Sequence, residues 1–311
     1  MPLYLTAAAD DDGRRLDRIL RKALGKTPLS AIHRQLRKGE VLVDGKSTSA
    51  GYRVKQGQTI TVNLDSSGDF ESRVAKISPG PTLEILYEGE GLLILNKPAG
   101  LLVHGRESLD WLVQSYLKGK LPPSLSFRPG PLHRLDRQSS GAIAFSTSLE
   151  GARFFSTMMR GRKIKKLYLA LVEGSIGKAE AWQDELVRDK DRKKTYSRFP
   201  AAGETKTAIT TVTPILGNEL YTLILAEIET GRTHQIRVQA ASRGHPLLGD
   251  VKYGARHVMQ QSSGDFFLHA WRLEFPPPLP RLIEAPLPEK FQKKTFELFG
   301  VDSRYINGRI Q

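Results

Sequence analysis

The stretch PLHRLDRQSSG, residues Pro131–Gly141, places one carboxylate, Asp136, between two arginines and ends in a glycine. The apolar run 142–145 follows at once, which predicts a loop that leads into a buried strand. Gly141 at this junction permits a close approach of another backbone segment. The flanking arginines favour the ionised form of Asp136, which is the form that a nucleophile or a general base needs. On local chemistry alone, an aspartate that caps a turn and pairs with a surface arginine is the alternative interpretation.

Two more stretches that combine basic, apolar and glycine residues lie on either side of this loop. Residues 95–104 read LNKPAGLLVH upstream, and residues 230–238 read TGRTHQIRV downstream, followed by GHPLLGD at 244–250. Together with the central stretch they resemble, in the same order, the motifs of the RluA-type pseudouridine synthases, in the RluC/RluD-like subgroup with an N-terminal S4 domain. The family signature is HRLDxxTSG, and Ser139 stands where the family usually has threonine. Three ordered matches are far more specific than one short motif.

The resemblance implies an isomerase that converts uridine to pseudouridine within RNA, with no metal, redox cofactor or energy source. Asp136 corresponds to the catalytic aspartate of the signature; whether it attacks the sugar, attacks the base or abstracts a proton stays open at this point. Tyr168 matches the tyrosine of a Lys-x-Tyr-x-Ala pattern at 166–170, where it would stack on uracil. Arg237 matches the basic residue that follows His-Gln-Ile and would pair with Asp136.

The resemblance also implies contacts with RNA around this site. A uridine stacked inside a structured RNA cannot reach a buried carboxylate, so we expect the base to flip out of the stack. Arg134 would enter the RNA and hold the rearranged stack, and Arg232 is a candidate for a phosphate contact. Three residues of the upstream stretch would lie near the RNA cleft: Asn96, Lys97 and His104.

The 311-residue chain is strongly basic, with 47 lysines and arginines against 33 aspartates and glutamates and a formal net charge of +14. An excess of this size indicates nucleic acid as the leading partner and an anionic membrane surface as the lesser one. The chain contains no cysteine, which excludes disulfides, thiolate metal sites and cysteine nucleophiles. No secretory signal and no apolar run of about 18 residues is visible, so we expect a soluble cytoplasmic protein.

Residues 12–65 resemble an S4 RNA-binding domain, with two short basic helices followed by hairpins. Apolar residues recur at helical spacing over 14–24 and again after Pro28, and a strand pattern follows at 60–64. Basic side chains crowd both helices, which favours a phosphate-contacting face over a merely solvated one. The expected RNA-binding residues of this domain are Arg15, Arg18, Arg34, Arg37 and Lys38.

The remaining chain divides into a linker at 66–81, a catalytic domain at 82–300 and a tail at 301–311. The linker is rich in serine and glycine and ends in Pro-Gly-Pro. Several strands with few long helices between them, including one expected around Ile236, predict an α+β fold with a mixed, mainly antiparallel sheet.

Several functions remain open at the level of sequence. Among relatives built with an S4 domain, the commonest target is large-subunit (23S) ribosomal RNA, and transfer RNA is the alternative. A catalytically silent RNA-binding or ribosome-assembly factor would keep the fold but would not need Asp136, Tyr168 and Arg237 together. Glycosidases use two carboxylates and many nucleases use clustered acids on a metal, and neither pattern surrounds Asp136. We expect a monomer that acts on structured RNA without a small-molecule cofactor or a membrane.

Overall fold

A computed structural model gives the fold of this chain. It describes residues 2–25, 27–63, 82–121, 124–189, 194–197, 205–256, 265–302, 305–306 and 308. The linker predicted at 66–81 lies outside these ranges, as do several residues of the tail 301–311.

The N-terminal unit is a small antiparallel sheet covered by two helices. Its elements are β1 (Pro2–Thr6), α1 (Leu16–Ala23), α2 (Leu29–Arg37), β2 (Val41–Val43), β3 (Lys46–Ser47) and β4 (Thr59–Asn63). The strands lie in the order β1-β4-β2-β3. Apolar side chains of both helices, among them Ile19 and Ile32, are fully buried against Val41 and Ile60 of the sheet. The polar faces of the helices therefore stay in solvent.

Strand β1 extends the N-terminal sheet upstream of residue 12, where the sequence predicts the start of the domain. Residues Pro2–Thr6 pair with β4 along their whole length, so the folded unit begins ten residues earlier. The strand was missed because it lies at the sheet edge. Leu3 and Leu5 are only partly buried there, which leaves a short and weak alternation of apolar and polar residues.

The rest of the described chain forms one large sheet with four helices. Its elements are β5 (Ile85–Gly89), β6 (Leu92–Lys97), α3 (Leu109–Leu117), β7 (Gly130–Pro131), β8 (Ser140–Ser146), α4 (Leu149–Arg160), β9 (Lys165–Glu173), β10 (Glu180–Asp189), β11 (Lys194–Ser197), β12 (Lys206–Gly217), β13 (Tyr221–Ile228), α5 (Gln235–Ser242), β14 (Leu268–Glu274), β15 (Leu282–Glu284) and α6 (Glu289–Phe299). The strand order is β11-β10-β12-β13-β9-β14-β8-β6-β5, with β15 on β14 and β7 on β8. The predicted α+β class with a mixed, mainly antiparallel sheet is confirmed.

Helices cover both faces of this sheet. Leu109 of α3 and Ile236 of α5 belong to one apolar core, together with Tyr168 of β9. On the other face, Phe155 of α4 packs in a second core and Phe291 of α6 in a third. Side chains of successive strand residues alternate between these faces. Tyr168 therefore lies on the face that α3 and α5 cover.

The only parallel pairing among the described strands joins β8 to β14. Gly141 of β8 lies opposite Ala270 of β14 and adopts a left-handed φ of 108°. A Cβ atom at Gly141 would collide with the backbone of Ala270, including its carbonyl oxygen. The close backbone approach predicted from Gly141 is therefore present, and it holds the two halves of the sheet together at this seam.

The strand that the sequence predicts around Ile236 is wrong, because this stretch forms helix α5. The alternating apolar residues of this stretch resemble a strand pattern. In the structure, however, the first six residues of the helix, Gln235–Ala240, are all buried, polar and apolar alike. A helix that is buried on every side has no apolar stripe for periodicity to detect.

The N-terminal unit is attached to the segment just before the central motif. The buried Asp11 carboxylate accepts hydrogen bonds from the Ser126 hydroxyl and from the Leu125 amide, the latter at 3.0 Å. Arg14 donates to the same Ser126 hydroxyl at 2.6 Å. The two units are thus joined by a buried polar contact as well as by the chain.

Candidate active site

A cavity of about 360 Å³ opens at the seam between the two halves of the large sheet. Its wall combines the loop 132–136, two residues of β9 and the segment 231–237 at the start of α5. Cavities of this size are typical of ligand sites in proteins. The three residues expected to be catalytic, Asp136, Tyr168 and Arg237, all line it.

Arg237 binds two carboxylates at once. Its Nη1 donates to Asp136 Oδ2 at 3.0 Å. Its Nε and Nη2 donate to the two oxygens of Asp250 at 2.7 and 2.8 Å. Asp250 is only 1% exposed, and a bidentate pair of this kind fixes the plane of the guanidinium. Arg237 therefore presents one defined edge to Asp136.

Two aromatic rings also pack near the Arg237 guanidinium. Its central carbon lies 4.2 Å from the centre of the Phe266 ring and 4.9 Å from that of Tyr253. Burial would lower the pKa of Arg237, but the hydrogen bonds and charges of Asp250 and Asp136 raise it overall. Arg237 is thus a permanent cation that pairs with Asp136.

Two glutamines fix α5, the helix that carries Arg237. The Gln235 amide donates to the Ile209 carbonyl and to the Thr210 hydroxyl, each at 2.9 Å. The Gln239 amide donates to the Trp182 carbonyl at 3.0 Å. These bonds tie α5 to β10 and β12, so the position of Arg237 is set by the sheet below it.

His234 is a neighbour of Asp136 to which the sequence assigns no role of its own. It adopts a left-handed φ of 56° just before α5, with Nε2 3.8 Å from Asp136 Oδ1. Burial lowers the pKa of His234 to about 4, so the ring is neutral at pH 7. The Tyr253 hydroxyl accepts the Thr195 amide and lies 2.7 Å from His234 Nδ1.

The sequence places Lys97 near the RNA cleft, but in the structure none of its surface is exposed. Its ammonium donates to the carbonyls of Pro98 and Leu101 at 2.8 Å and to that of Arg137 at 3.0 Å. Burial lowers the pKa of Lys97 to about 7, while the charge of Asp136 opposes that shift. Three carbonyl acceptors match the three donors of an ammonium. Lys97 thus holds the loop that carries Asp136 from beneath.

Tyr168 lines the cavity with 7% of its surface exposed. It lies in the middle of β9, where pairing with β13 and β14 on either side fixes its backbone. Burial, followed by the negative charge of Asp136, raises the pKa of Tyr168 well above its usual value. The phenol therefore stays protonated at the cavity wall.

The expected RNA-binding residues are distributed unevenly. Arg134 and Arg232 are exposed at the cavity wall. The Asn96 amide instead bonds Glu84 at 2.9 Å, and His104 is exposed outside the cavity lining. All five basic residues predicted for the S4 unit are exposed: Arg15, Arg18, Arg34, Arg37 and Lys38.

The arginines next to Asp136 in sequence do not pair with it in the described structure. Arg137 turns away and donates to the Gly100 carbonyl at 2.9 Å. The cation that pairs with Asp136 is Arg237, 101 residues downstream. The positive charge expected beside Asp136 is therefore present, but it comes from Arg237 and not from the arginines that flank Asp136 in the sequence.

Sequence analysis assigned no role to three residues that the structure brings to the site: His234, Asp250 and Lys166. His234 and Asp250 both lie within stretches quoted for the resemblance, and Lys166 opens the Lys-x-Tyr-x-Ala pattern. Their positions in these motifs were the available signal. What was lacking was a reason to choose them over their neighbours.

The described ranges contain no group of three or more histidine, aspartate and glutamate side chains that could hold a metal ion. Nor does any helix in the described ranges have the length and apolarity needed to cross a membrane.

Comparison with known families gives two matches along the chain. Residues 91–242 match the RNA pseudouridylate synthase family, which includes the whole cavity segment from Asp136 to Arg237. Residues 14–60 match the S4 domain, within the N-terminal unit.

Similar curated proteins extend the likeness over nearly the whole chain. Proteins named ribosomal large subunit pseudouridine synthase C are 34% identical in Yersinia pestis, 33% in Pasteurella multocida and 31% in Vibrio vulnificus. These alignments cover 91%, 93% and 91% of this chain and 91%, 91% and 93% of the relatives.

Solved structures agree with the fold of the large sheet. Human RNA pseudouridylate synthase domain containing 4 superposes with a TM-score of 0.57 at 23% identity, over 69% of this chain and 92% of the other. Human RNA pseudouridylate synthase domain containing 1 gives 0.54 at 24% identity, over 70% and 89%. The sequence relationship, the S4 match and this fold lead to one conclusion. The chain belongs to the RNA pseudouridylate synthase family, of the RluA type with an N-terminal S4 domain, and is an isomerase that converts uridine to pseudouridine in RNA.

Proposed function

We propose that this protein modifies uridines of large-subunit ribosomal RNA, the 23S RNA of bacteria. The support is its similarity, across more than 90% of both chains, to relatives named for that substrate. The exposed basic helices α1 and α2 support a second contact with structured RNA, because phosphate contacts position a protein on a folded nucleic acid. A monomer is sufficient for this role, since one chain supplies every residue that we assign to the site.

The reaction balances without a redox partner. The bond between uracil N1 and ribose C1′ breaks, a bond between C5 and C1′ forms, and the proton from C5 ends on N1. No atom is oxidised or reduced, so the chemistry requires positioning and proton transfer only. We assign the catalytic role to Asp136, and each of its three open mechanisms needs an ionised carboxylate beside the flipped nucleotide.

The Asp136–Arg237 ion pair is the observation that carries this assignment. Arg237 holds Asp136 Oδ2 at 3.0 Å, whereas no described donor lies within hydrogen-bond distance of Oδ1. Oδ1 is therefore the oxygen that we expect to meet the nucleotide. Arg237 acts by orienting the carboxylate and by keeping it anionic.

Tyr168 and the exposed arginines complete the proposed site. Tyr168, in the cavity wall, would stack on the flipped uracil. Arg134, at the cavity wall, would fill the space that the base leaves in the RNA stack, and Arg232 would contact a phosphate. In the S4 unit, the exposed residues Arg15, Arg18, Arg34, Arg37 and Lys38 would bind RNA phosphates.

The test is carbodiimide-based pseudouridine mapping of total RNA from cells with and without the gene. We expect sites in large-subunit ribosomal RNA to disappear without the gene. Wild-type protein should restore them, and so should the control Asp110→Asn, which changes the same functional group on α3, outside the cavity lining. Asp136→Asn should not restore them, although it should bind RNA nearly as well as wild type.

Other outcomes point to other functions. If the sites that disappear lie in transfer RNA, then transfer RNA is the substrate and ribosomal RNA is not. Sites that Asp136→Asn restores as well as wild type would indicate an RNA-binding or assembly role without catalysis. Ribosomal RNA is assembled in the bacterial cytoplasm, so the proposed substrate also implies a cytoplasmic location.

A further inference from the structure

Lys166 is a buried lysine in the cavity wall that the proposed mechanism does not use. It is 5% exposed, and it lines the same cavity as Tyr168. The two residues are two positions apart on β9, so their side chains share one face and their Cα atoms lie about 6.6 Å apart. Lys166 thus stands about one nucleotide's length from the ring that we expect to stack on uracil.

The ammonium of Lys166 has no partner among the described residues. It forms no hydrogen bond and no ion pair there, whereas the other buried lysine, Lys97, is bound by three carbonyls. Burial lowers the pKa of Lys166, and no neighbouring carboxylate offsets that effect. A buried cation without an acceptor destabilises the free protein. Such a group persists where a ligand supplies the missing acceptor.

His133 offers a second unused donor beside Lys166. Its Nε2 accepts the Ala144 amide hydrogen at 3.0 Å, so the proton of the neutral ring is on Nδ1. Burial, followed by the charge of Lys166, lowers the pKa of His133 to about 4 and keeps the ring neutral at pH 7. Nδ1 has no acceptor among the described residues.

Both nitrogens can be reached from the cavity. The described side-chain atoms that are sealed from solvent and also lack a partner are elsewhere: in His33, Gln35, Thr48, Asn96 and Thr195. Because neither Lys166 Nζ nor His133 Nδ1 is sealed or bonded, both face open space. The cavity that both residues line is that space.

We propose that Lys166 and His133 bind a phosphate group of the RNA backbone next to the flipped uridine. This inference rests on the RNA-modifying function proposed above. Two donors with no acceptor of their own select an oxygen-rich ligand, and phosphate is the anionic group that RNA carries. A base carbonyl would satisfy a hydrogen bond but would leave the charge of the buried ammonium uncompensated. The phosphate contact would hold the sugar still while the base turns over.

The experiment compares Lys166→Met with the control Lys165→Met, using an RNA that wild-type protein modifies. Lys165 is the neighbouring lysine of β9, on the opposite face and largely exposed. Each variant loses one positive charge. We expect Lys166→Met to raise the dissociation constant for RNA about tenfold or more. Its plot of log binding constant against log salt should lose about 0.7 to 0.9 of its slope, the value for one phosphate contact. The control should change neither.

Thermal unfolding separates this role from a structural one. Without RNA, Lys166→Met should unfold at the same temperature as wild type or higher, because methionine removes an unpaired buried charge. A lower unfolding temperature with unchanged RNA affinity would overturn the proposal and make Lys166 a structural residue. A slower reaction with an unchanged salt slope would also overturn it, since that result indicates a contact with the base.

A modified RNA locates the phosphate. Methylphosphonate at one of the two phosphates that flank the target uridine removes the negative charge there. At the correct phosphate, wild type and Lys166→Met should bind this RNA equally. If wild type still binds more tightly than Lys166→Met by the full factor, whichever of the two phosphates is replaced, the proposal is wrong. Failure of wild-type protein to modify any RNA is a separate result that counts against the proposed function.

Discussion

Replacement of Asp250 by asparagine tests whether the second carboxylate on Arg237 positions the first. The amide keeps one acceptor oxygen, but its NH₂ group then faces an Arg237 N–H, donor against donor. Asp250 currently accepts two hydrogen bonds at 2.7 and 2.8 Å in a fully buried position. Breaking a buried pair costs about 3 to 5 kcal/mol, and with one bond kept we expect about 3 kcal/mol.

The effect on the reaction is expected to exceed the effect on binding. Arg237 would lose its fixed plane, and a displacement of about 1 Å at the Asp136 carboxylate lowers the rate about 100-fold. RNA affinity should stay near that of wild type because Asp250 is 1% exposed. Without the Asp250 charge, Arg237 keeps Asp136 as its one carboxylate partner among the described residues.

The assay is tritium release from RNA labelled at uracil C5, under single-turnover conditions with protein in excess. The C5 hydrogen leaves when C5 joins the ribose, so release follows the chemistry directly. Saturating protein separates the rate constant from the affinity. Glu284→Gln is the control, because it makes the same change at the Arg272–Glu284 pair, 2.7 Å long and outside the cavity lining. A folded Asp250→Asn protein with a rate constant within about threefold of wild type would refute the positioning role.

Three further predictions concern Gly141 at the β8–β14 seam, Arg134 at the cavity wall, and the effect of pH on the unfolding temperature. Gly141→Ala should lower the free energy of unfolding by several kcal/mol, measured by denaturant titration, because its Cβ meets the Ala270 backbone at a φ of 108°. Arg134→Ala should slow single-turnover modification more than it weakens RNA binding, and equal losses would indicate a simple phosphate contact. Unfolding temperature should fall as pH drops from about 6.5 to 4, since the unfolded chain binds protons that three buried histidines exclude when folded. An unfolding temperature that stays constant over this range contradicts the assignment of neutral rings. Burial lowers the pKa of each to about 4: His133, His234 and His269.

The fold could be predicted where residue chemistry is local. Gly141 indicated a close backbone approach, and the structure has it against Ala270. Ser108 and Ser148 precede α3 and α4, and each side chain accepts a backbone amide of the first turn, a local contact that serine favours at a helix start. The α5 helix was predicted as a strand because burial on every side removes the periodicity that distinguishes the two.

The site could be predicted as a set of residues but not as a geometry. The motifs led to Asp136 and Arg237, whose contact spans 101 residues. They gave no reason to separate Lys97, which supports the loop from beneath, from residues that face the cavity. They also missed the bond between Arg237 and Asp250, because a bidentate pair depends on the angle at which two backbone segments meet.

The seam between β8 and β14 has a consequence for the newly made protein. Asp136 lies on one side of this seam, while Arg237 and Tyr168 come from the other, and the β8–β14 pairing joins strands that are far apart in the chain. During synthesis the N-terminal part folds first. A growing chain therefore exposes its S4 unit and Asp136 well before the cation that orients the carboxylate has emerged. On the catalytic roles proposed above, the chain becomes active only after β14 has been released and has paired with β8.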